Sequence, residues 1–178
     1  MRAQVFGPVL GAVVVTAYAT LLALDGLVFD PLAAVPGATL GQIHHRVEAI
    51  GMDVGQDVVG VLVTAGVGVT LAAFFAVVAI RGRMPVPVAA VCHLALLTFG
   101  AVAVFQSGFF LGMDVADAYG VSGGSHSAFS GVLYGTSLAA LVAIPVVLLA
   151  TLFRSLGRAR AAHPRAPSSG DGSAQQAE

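Results

Sequence analysis

Four uninterrupted apolar stretches, each about as long as a bilayer is thick, constrain this chain more than any other feature. The first, Val5 to Leu24, carries no charge and stops at Asp25; Val58 to Ile80, Val86 to Phe105 and Gly131 to Phe153 follow. A helix needs roughly 20 apolar residues to cross a hydrocarbon core about 30 Å thick. A soluble bundle would confine its apolar residues to one stripe, whereas these runs are apolar on every face. With only 10% of residues charged, against roughly 25% in a soluble domain, water is not this chain's main solvent. The sequence predicts an all-α integral membrane four-helix bundle, with helices at about 5–28, 57–80, 86–106 and 130–154, forming one transmembrane domain over residues 1–156.

The first run has a rival reading as a secretory leader, because Arg2, the apolar stretch and Ala17-Tyr18-Ala19 imitate its three regions. Apolarity continues through Leu21, Leu22 and Leu24, which favours a retained helix. In the third run Pro85 and Pro87 fall at the helix start, where a missing N–H is harmless. Pro145 lies inside the fourth run; there it removes a hydrogen bond, crowds the carbonyl of Leu141 and is expected to bend the helix.

Orientation follows from the arginines. Arg2, Arg81, Arg83, Arg154, Arg158, Arg160 and Arg165 fall on one side of the predicted spans and only Arg46 on the other. Positive residues stay cytoplasmic, so both termini are expected inside. The outer side then holds Asp25, Asp30, Glu48, Asp53, Asp57, Asp114 and Asp117, making it strongly acidic. All basic residues are arginine and none is lysine, which fits a GC-rich bacterial source and hence a bacterial plasma membrane. Nucleic-acid binding has no support in this charge pattern. A single cysteine, Cys92, excludes an intramolecular disulfide and any paired-cysteine metal or redox motif.

The short connection Arg81 to Pro85 predicts that the second and third helices are antiparallel neighbours. In the first outer connection Pro31 and Pro36 are expected to interrupt structure. Leu40, Ile43, Val47 and Ile50 then recur at helical spacing, predicting a short amphipathic helix that lies at the interface or caps the bundle. Gln106 to Ser130 reads as a second loop, apolar at first and then Gly- and Ser-rich. Residues 157–178 read as a disordered cytoplasmic tail, with too little apolar surface to offset ordering entropy. Gly51-Met52-Asp53-Val54 recurs as Gly112-Met113-Asp114-Val115, and Gly60-Val61-Leu62 as Gly131-Val132-Leu133. Their unequal spacing weakens a two-plus-two duplication against chance.

In lipid, helices associate through close backbone packing, which small residues every fourth position allow. Gly60, Thr64, Gly68, Ala72 and Ala76 form such a face on the second helix, and Gly131, Gly135, Ala139 and Ala143 on the fourth. Packing within the bundle is the plainer use of these faces, and a homo-oligomer or another membrane protein is the partner they would otherwise meet.

His93 is the only strongly ionisable side chain well inside a predicted span, which makes it a functional candidate by position. The simpler reading has it bonded to a hydroxyl such as Thr64, Thr70, Thr136, Ser137 or Tyr134. No second span offers a histidine, so a bis-histidine haem is disfavoured. In the outer loops, His44, Glu48, Asp114, Asp117 and His126 carry nitrogen and carboxylate ligands suited to a divalent metal, although solvated acids are the ordinary reading. Asp57, at a helix start, suits the N-terminal dipole. Asp25 sits at a predicted C-terminal end, where the dipole is unfavourable, and is a candidate for a cation-attracting outer vestibule. The Arg154, Arg158 and Arg160 cluster suits anchoring at anionic headgroups. No phosphate loop or nucleophile motif is present, and no cofactor is implied. The sequence favours a small non-enzymatic membrane protein acting by association, as a homo-oligomer or accessory subunit. An oligomeric transporter or channel for a cation or small solute is the alternative, and a metal-dependent membrane enzyme with an outer-face site is third.

Overall fold

The computed structural model describes residues 2–162, and the described residues are helical with no strand. Helix α1 (Arg2–Leu24) passes through a π-helical turn, Asp25–Phe29, into α2 (Asp30–Ala34). A connecting helix α3 (Leu40–Ala49) precedes α4 (Val54–Ile80). Helix α5 (Val86–Ser107) passes through a second π turn, Gly108–Gly112, into α6 (Met113–Tyr119), and α7 (Ala128–Ala162) follows. Four stretches, Val5–Ala34, Val54–Ile80, Val86–Tyr119 and Ala128–Arg158, are long and apolar enough to cross a membrane. Their outward faces carry Phe6, Val63, Phe74, Phe99, Leu138 and Phe153, all well exposed. A surface so apolar would not stay dispersed in water.

Two expectations about the connections need correction. Pro31 does not interrupt the first helix, because it falls in the first turn of α2 directly after the π turn. In a regular α-helix proline collides with the carbonyl four residues back. Here the Asp30 N–H has already shifted to the Asp25 carbonyl, five residues back, so the local register is no longer α-helical. Likewise the segment after Gln106 is not a loop. It stays helical to Tyr119 and ends only at Gly120, whose φ of 66° gives the left-handed C-terminal cap that glycine supplies most readily. The chain breaks regularity once, at Phe110 (φ −84°, ψ −122°). Residues 157–162, assigned by sequence to a disordered tail, continue α7, and the tail residues 163–178 lie outside the described residues.

Helices α1 and α4 pack as one pair and α5 and α7 as another, with α5 also against α1 and α4. The turn at Arg81–Pro85 makes α4 and α5 neighbours, as its length predicts. Val15, Tyr18, Leu22, Val61, Ala72, Leu97, Val104, Leu133 and Ala140 form the core between the pairs. A buried hydrogen bond, Tyr18 Oη to Ser137 Oγ at 2.9 Å, ties α1 to α7. Rings settle onto glycines: a Cβ on Gly100 would stand 2.5 Å from the Tyr18 ring, one on Gly11 2.8 Å from the His93 ring, and one on Gly60 2.8 Å from the Phe110 ring.

Of the small-residue faces read from the sequence, that of α4 is used in part, through Gly60, Ala72 and Ala76. That of α7 is largely left outside the bundle, with only Ala143 half-buried. Gly131, Gly135 and Ala139 are exposed, a Cβ on either glycine would meet nothing within 4 Å, and the buried face is Ser130, Leu133, Ser137 and Ala140. The repeated Gly-Val-Leu segments are also not equivalent in space, since Val61 is buried whereas Val132 is exposed.

At the end of the bundle holding most of the acids, α3 forms a lid. A capping box between Thr39 and Gln42 starts it, and its stripe residues Ile43 and Val47 are fully buried against Val54, Leu111, Val115 and Ala118. Arg46 Nε donates to the Ala118 carbonyl at 3.3 Å, and Tyr119 Oη to the Gln42 carbonyl at 3.3 Å. The two polypeptide connections at this end therefore pack on each other and cap the helices.

Candidate functional site

The two π turns meet beneath this cap. Such turns insert one residue into a helix and re-aim the side chains around it, and they recur at functional sites. The first places Asp25 inward. Only 4% of its surface is exposed, so it belongs to the interior and not to a helix end facing solvent. Its Oδ2 accepts a hydrogen bond from the Ser130 hydroxyl at 2.6 Å, while its Oδ1 has no partner. Gly26, the next residue, brings α1 against Ser107 of α5 closely enough that a Cβ would lie 3.4 Å from the serine Cβ.

Asp25 lines a cavity of about 220 Å³ bounded by both π turns, the Ser-Gly segment before α7 and the first turns of α7. Asp30 stands at its rim and fixes that segment. Its Oδ1 accepts from the His126 N–H at 2.6 Å, the Ser127 N–H at 2.9 Å and the Ser125 hydroxyl at 3.3 Å. Ser125 Oγ also lies within hydrogen-bond distance of Ser130 Oγ, and its single hydrogen goes to either Asp30 or Ser130. A chain of hydroxyls thus links the rim carboxylate to the buried one. Burying a carboxylate with one oxygen unpaired costs free energy. A cation or hydrogen-bond donor entering the cavity would offset that cost.

His93, the intramembrane candidate, is buried elsewhere in the bundle. It does not bond a hydroxyl. Its Nδ1 lies 2.7 Å from the Ala89 carbonyl and its Nε2 3.1 Å from the Ala72 carbonyl of α4, with Phe75 edge-on at 6.3 Å between centroids. The hydroxyls of Thr64, Thr70 and Thr136 instead bond carbonyls of their own helices. His93 lines none of the cavity around Asp25; Ala89 lies on its own helix, and the Nε2 contact with the Ala72 carbonyl joins α5 to α4.

The residues read as candidate metal ligands are spread over the cap. Glu48 and Asp117 are exposed, and His44 is half-buried with Nε2 unpartnered. His126 Nε2 is 3.2 Å from the Ser122 hydroxyl. Asp114 adjoins Asp57, which is buried with Oδ2 unpartnered. Asp57 lies in the first turn of α4, as its sequence position predicts, and the N-cap itself is Asp53, accepting from the Gln56 N–H at 3.1 Å. Among the described residues no three histidine, cysteine or acidic side chains gather to hold one ion. Sequence reasoning singled out Asp25 but missed Ser130, Ser125 and Asp30 as its surroundings. The one available signal was the density of Ser and Gly before the fourth helix. The chain matches no protein-family model, no curated protein and no solved structure.

Proposed function

We propose that this chain is a multi-pass protein of a bacterial plasma membrane that receives a small cation in the Asp25 pocket, as the binding step of an oligomeric transporter or channel. Both termini are cytoplasmic and the acidic cap faces outward, as the arginine asymmetry requires. The observation that carries the reading is the unpartnered Oδ1 of the buried Asp25 beside a cavity. A cation in that cavity supplies the missing counter-charge, and acids at the cap raise the local cation concentration. The bundle as packed leaves little room for a path within one subunit, so passage beyond the Asp25 pocket requires rearrangement at the π turns.

The test is charge displacement on proteoliposomes after concentration jumps of sodium, potassium, magnesium and ammonium salts. A saturable transient current with at least one cation, lost in Asp25→Asn, is the expected result. Silence with every cation, or an unchanged current in the variant, would overturn the reading. A fluorescent protein fused after residue 178 should fluoresce, and alkaline phosphatase inserted between α3 and α4 should be active; the reverse pattern would invert the orientation.

A second reading, association without transport, rests on the exposed Gly131, Gly135 and Ala139 face of α7. Gly135→Leu should then dissociate an oligomer seen in detergent while leaving the monomer folded.

A further inference from the structure

The pocket's size and donor set differ from those of a metal site. Calcium takes six to eight oxygen ligands and magnesium about six in a tight octahedron. Here two carboxylate oxygens carry no hydrogen bond, the buried Asp25 Oδ1 and, at the rim, Asp30 Oδ2, too few for either ion. The Ser130 hydroxyl donates to Asp25 and meets Ser125, the Ser107 hydroxyl donates to the Val104 carbonyl, and Asp30 Oδ1 is occupied by two N–H groups and a hydroxyl. A volume of about 220 Å³ also exceeds what one ion or one proton needs, given that a water molecule takes roughly 30 Å³ of liquid.

The remaining wall is largely carbon. Phe105, Phe109 and Tyr134 contribute rings, with Phe105 and Phe109 packed edge to face at 4.8 Å between centroids, and Val104 and Met113 fill between them. Gly26 brings α1 close to Ser107, while Gly108 and Gly112 leave open space, a Cβ on either meeting nothing within 4 Å. One buried carboxylate oxygen among aromatic rings is the recognition chemistry of an alkylammonium ion. The carboxylate neutralises its charge, and ring faces attract the cation while tolerating its carbon substituents.

We infer that the Asp25 pocket takes a small organic ammonium, a primary or quaternary amine, offered either free or as the headgroup of a phospholipid. This rests on the cation reading above and narrows it to one chemical class. Asp25 pairs with the nitrogen, Ser130 holds Asp25 in position, and Phe105, Phe109 and Tyr134 form the cage.

Calorimetric titration of the purified full chain in lipid-free detergent, at constant ionic strength, tests the inference with tetramethylammonium, ethylammonium, sodium and magnesium chlorides. Nanodiscs with and without phosphatidylethanolamine or phosphatidylcholine then separate the two sources. Saturable binding of an ammonium in detergent supports the free ligand. Saturable ethylammonium or tetramethylammonium binding that only the ethanolamine or choline lipid displaces supports the headgroup. Asp25→Asn should weaken binding by at least about tenfold, through a lost charged hydrogen bond for ethylammonium and a lost counter-charge for tetramethylammonium. Phe105 is 60% exposed, so Phe105→Ala retains the fold and should weaken binding about two- to fivefold. Binding of sodium or magnesium alone would overturn the ammonium assignment and leave the cation reading standing. No saturable binding of any cation would overturn both, as would full affinity in Asp25→Asn and Phe105→Ala together.

Discussion

Replacing Gly100 by alanine, and in a separate protein Gly135 by alanine, tests how the bundle packs, because the two changes share a chemistry and differ only in what the new methyl meets. Each gains helix propensity, worth up to about 1 kcal/mol. At Gly135 the added Cβ has nothing within 4 Å, so the change is neutral or mildly stabilising. At Gly100 it would stand 2.5 Å from Tyr18 Cε1 and 2.6 Å from both Cζ and Oη. Carbon atoms settle at about 3.5–4.0 Å, so the ring must retreat by roughly 1 Å. That ring is buried and bonded to Ser137. Overpacking costs about 1–3 kcal/mol, and a lost hydrogen bond about 0.5–1.5 kcal/mol. Set against the propensity gain, the net loss centres near 2 kcal/mol, or roughly thirtyfold in the folding equilibrium. Helix content followed by circular dichroism while sodium dodecyl sulfate is titrated into mixed micelles reads this directly. If Gly100→Ala unfolds at the same detergent fraction as Gly135→Ala, the seating of Tyr18 on Gly100 is wrong.

Three further outcomes follow from particular contacts. In a double-mutant cycle, Tyr18→Phe and Ser137→Ala should each destabilise by about 1 kcal/mol or more and couple by about 0.5–1.5 kcal/mol; a coupling near zero in the same unfolding assay would mean that the α1 to α7 bond is not made. Asp30→Ala removes the acceptor of the His126 and Ser127 N–H groups, so hydrogen exchange at those amides should accelerate by about tenfold or more while exchange in α4 stays unchanged. Thr39→Ala breaks the capping box of α3 and should cost about 0.5–2 kcal/mol locally. Its signature is faster exchange across the first turn of α3, and unaltered protection there would count against the cap.

The four long apolar helices were legible in the residues because they depend on local quantities. Span length is a count of apolar residues against bilayer thickness. The stripe of Leu40, Ile43 and Val47 is local periodicity, and it places the short helix correctly with Ile43 and Val47 at its buried face. Asp25 stood out because a charge next to a span needs a reason.

What surrounds Asp25 was not legible, because Ser130 lies 105 residues away and becomes its partner only when α7 docks beside the first π turn. The π turns themselves were invisible to periodicity, which assumes 3.6 residues per turn, and so Pro31 and the Phe109 segment were read as breaks or loop. The glycine faces show the same limit. Spacing alone marks every small residue on a helix as able to pack closely, but whether a partner arrives there is a property of the assembled helices. Gly100 and Gly11 receive rings and Gly135 receives nothing. The sequence by itself determined that the chain carries four stretches long and apolar enough to cross a membrane and which end is acidic, since hydropathy and charge are carried residue by residue. Only the tertiary structure decided that one of those acids is buried and bonded to Ser130 beside a cavity, since that requires α1, α5 and α7 to converge.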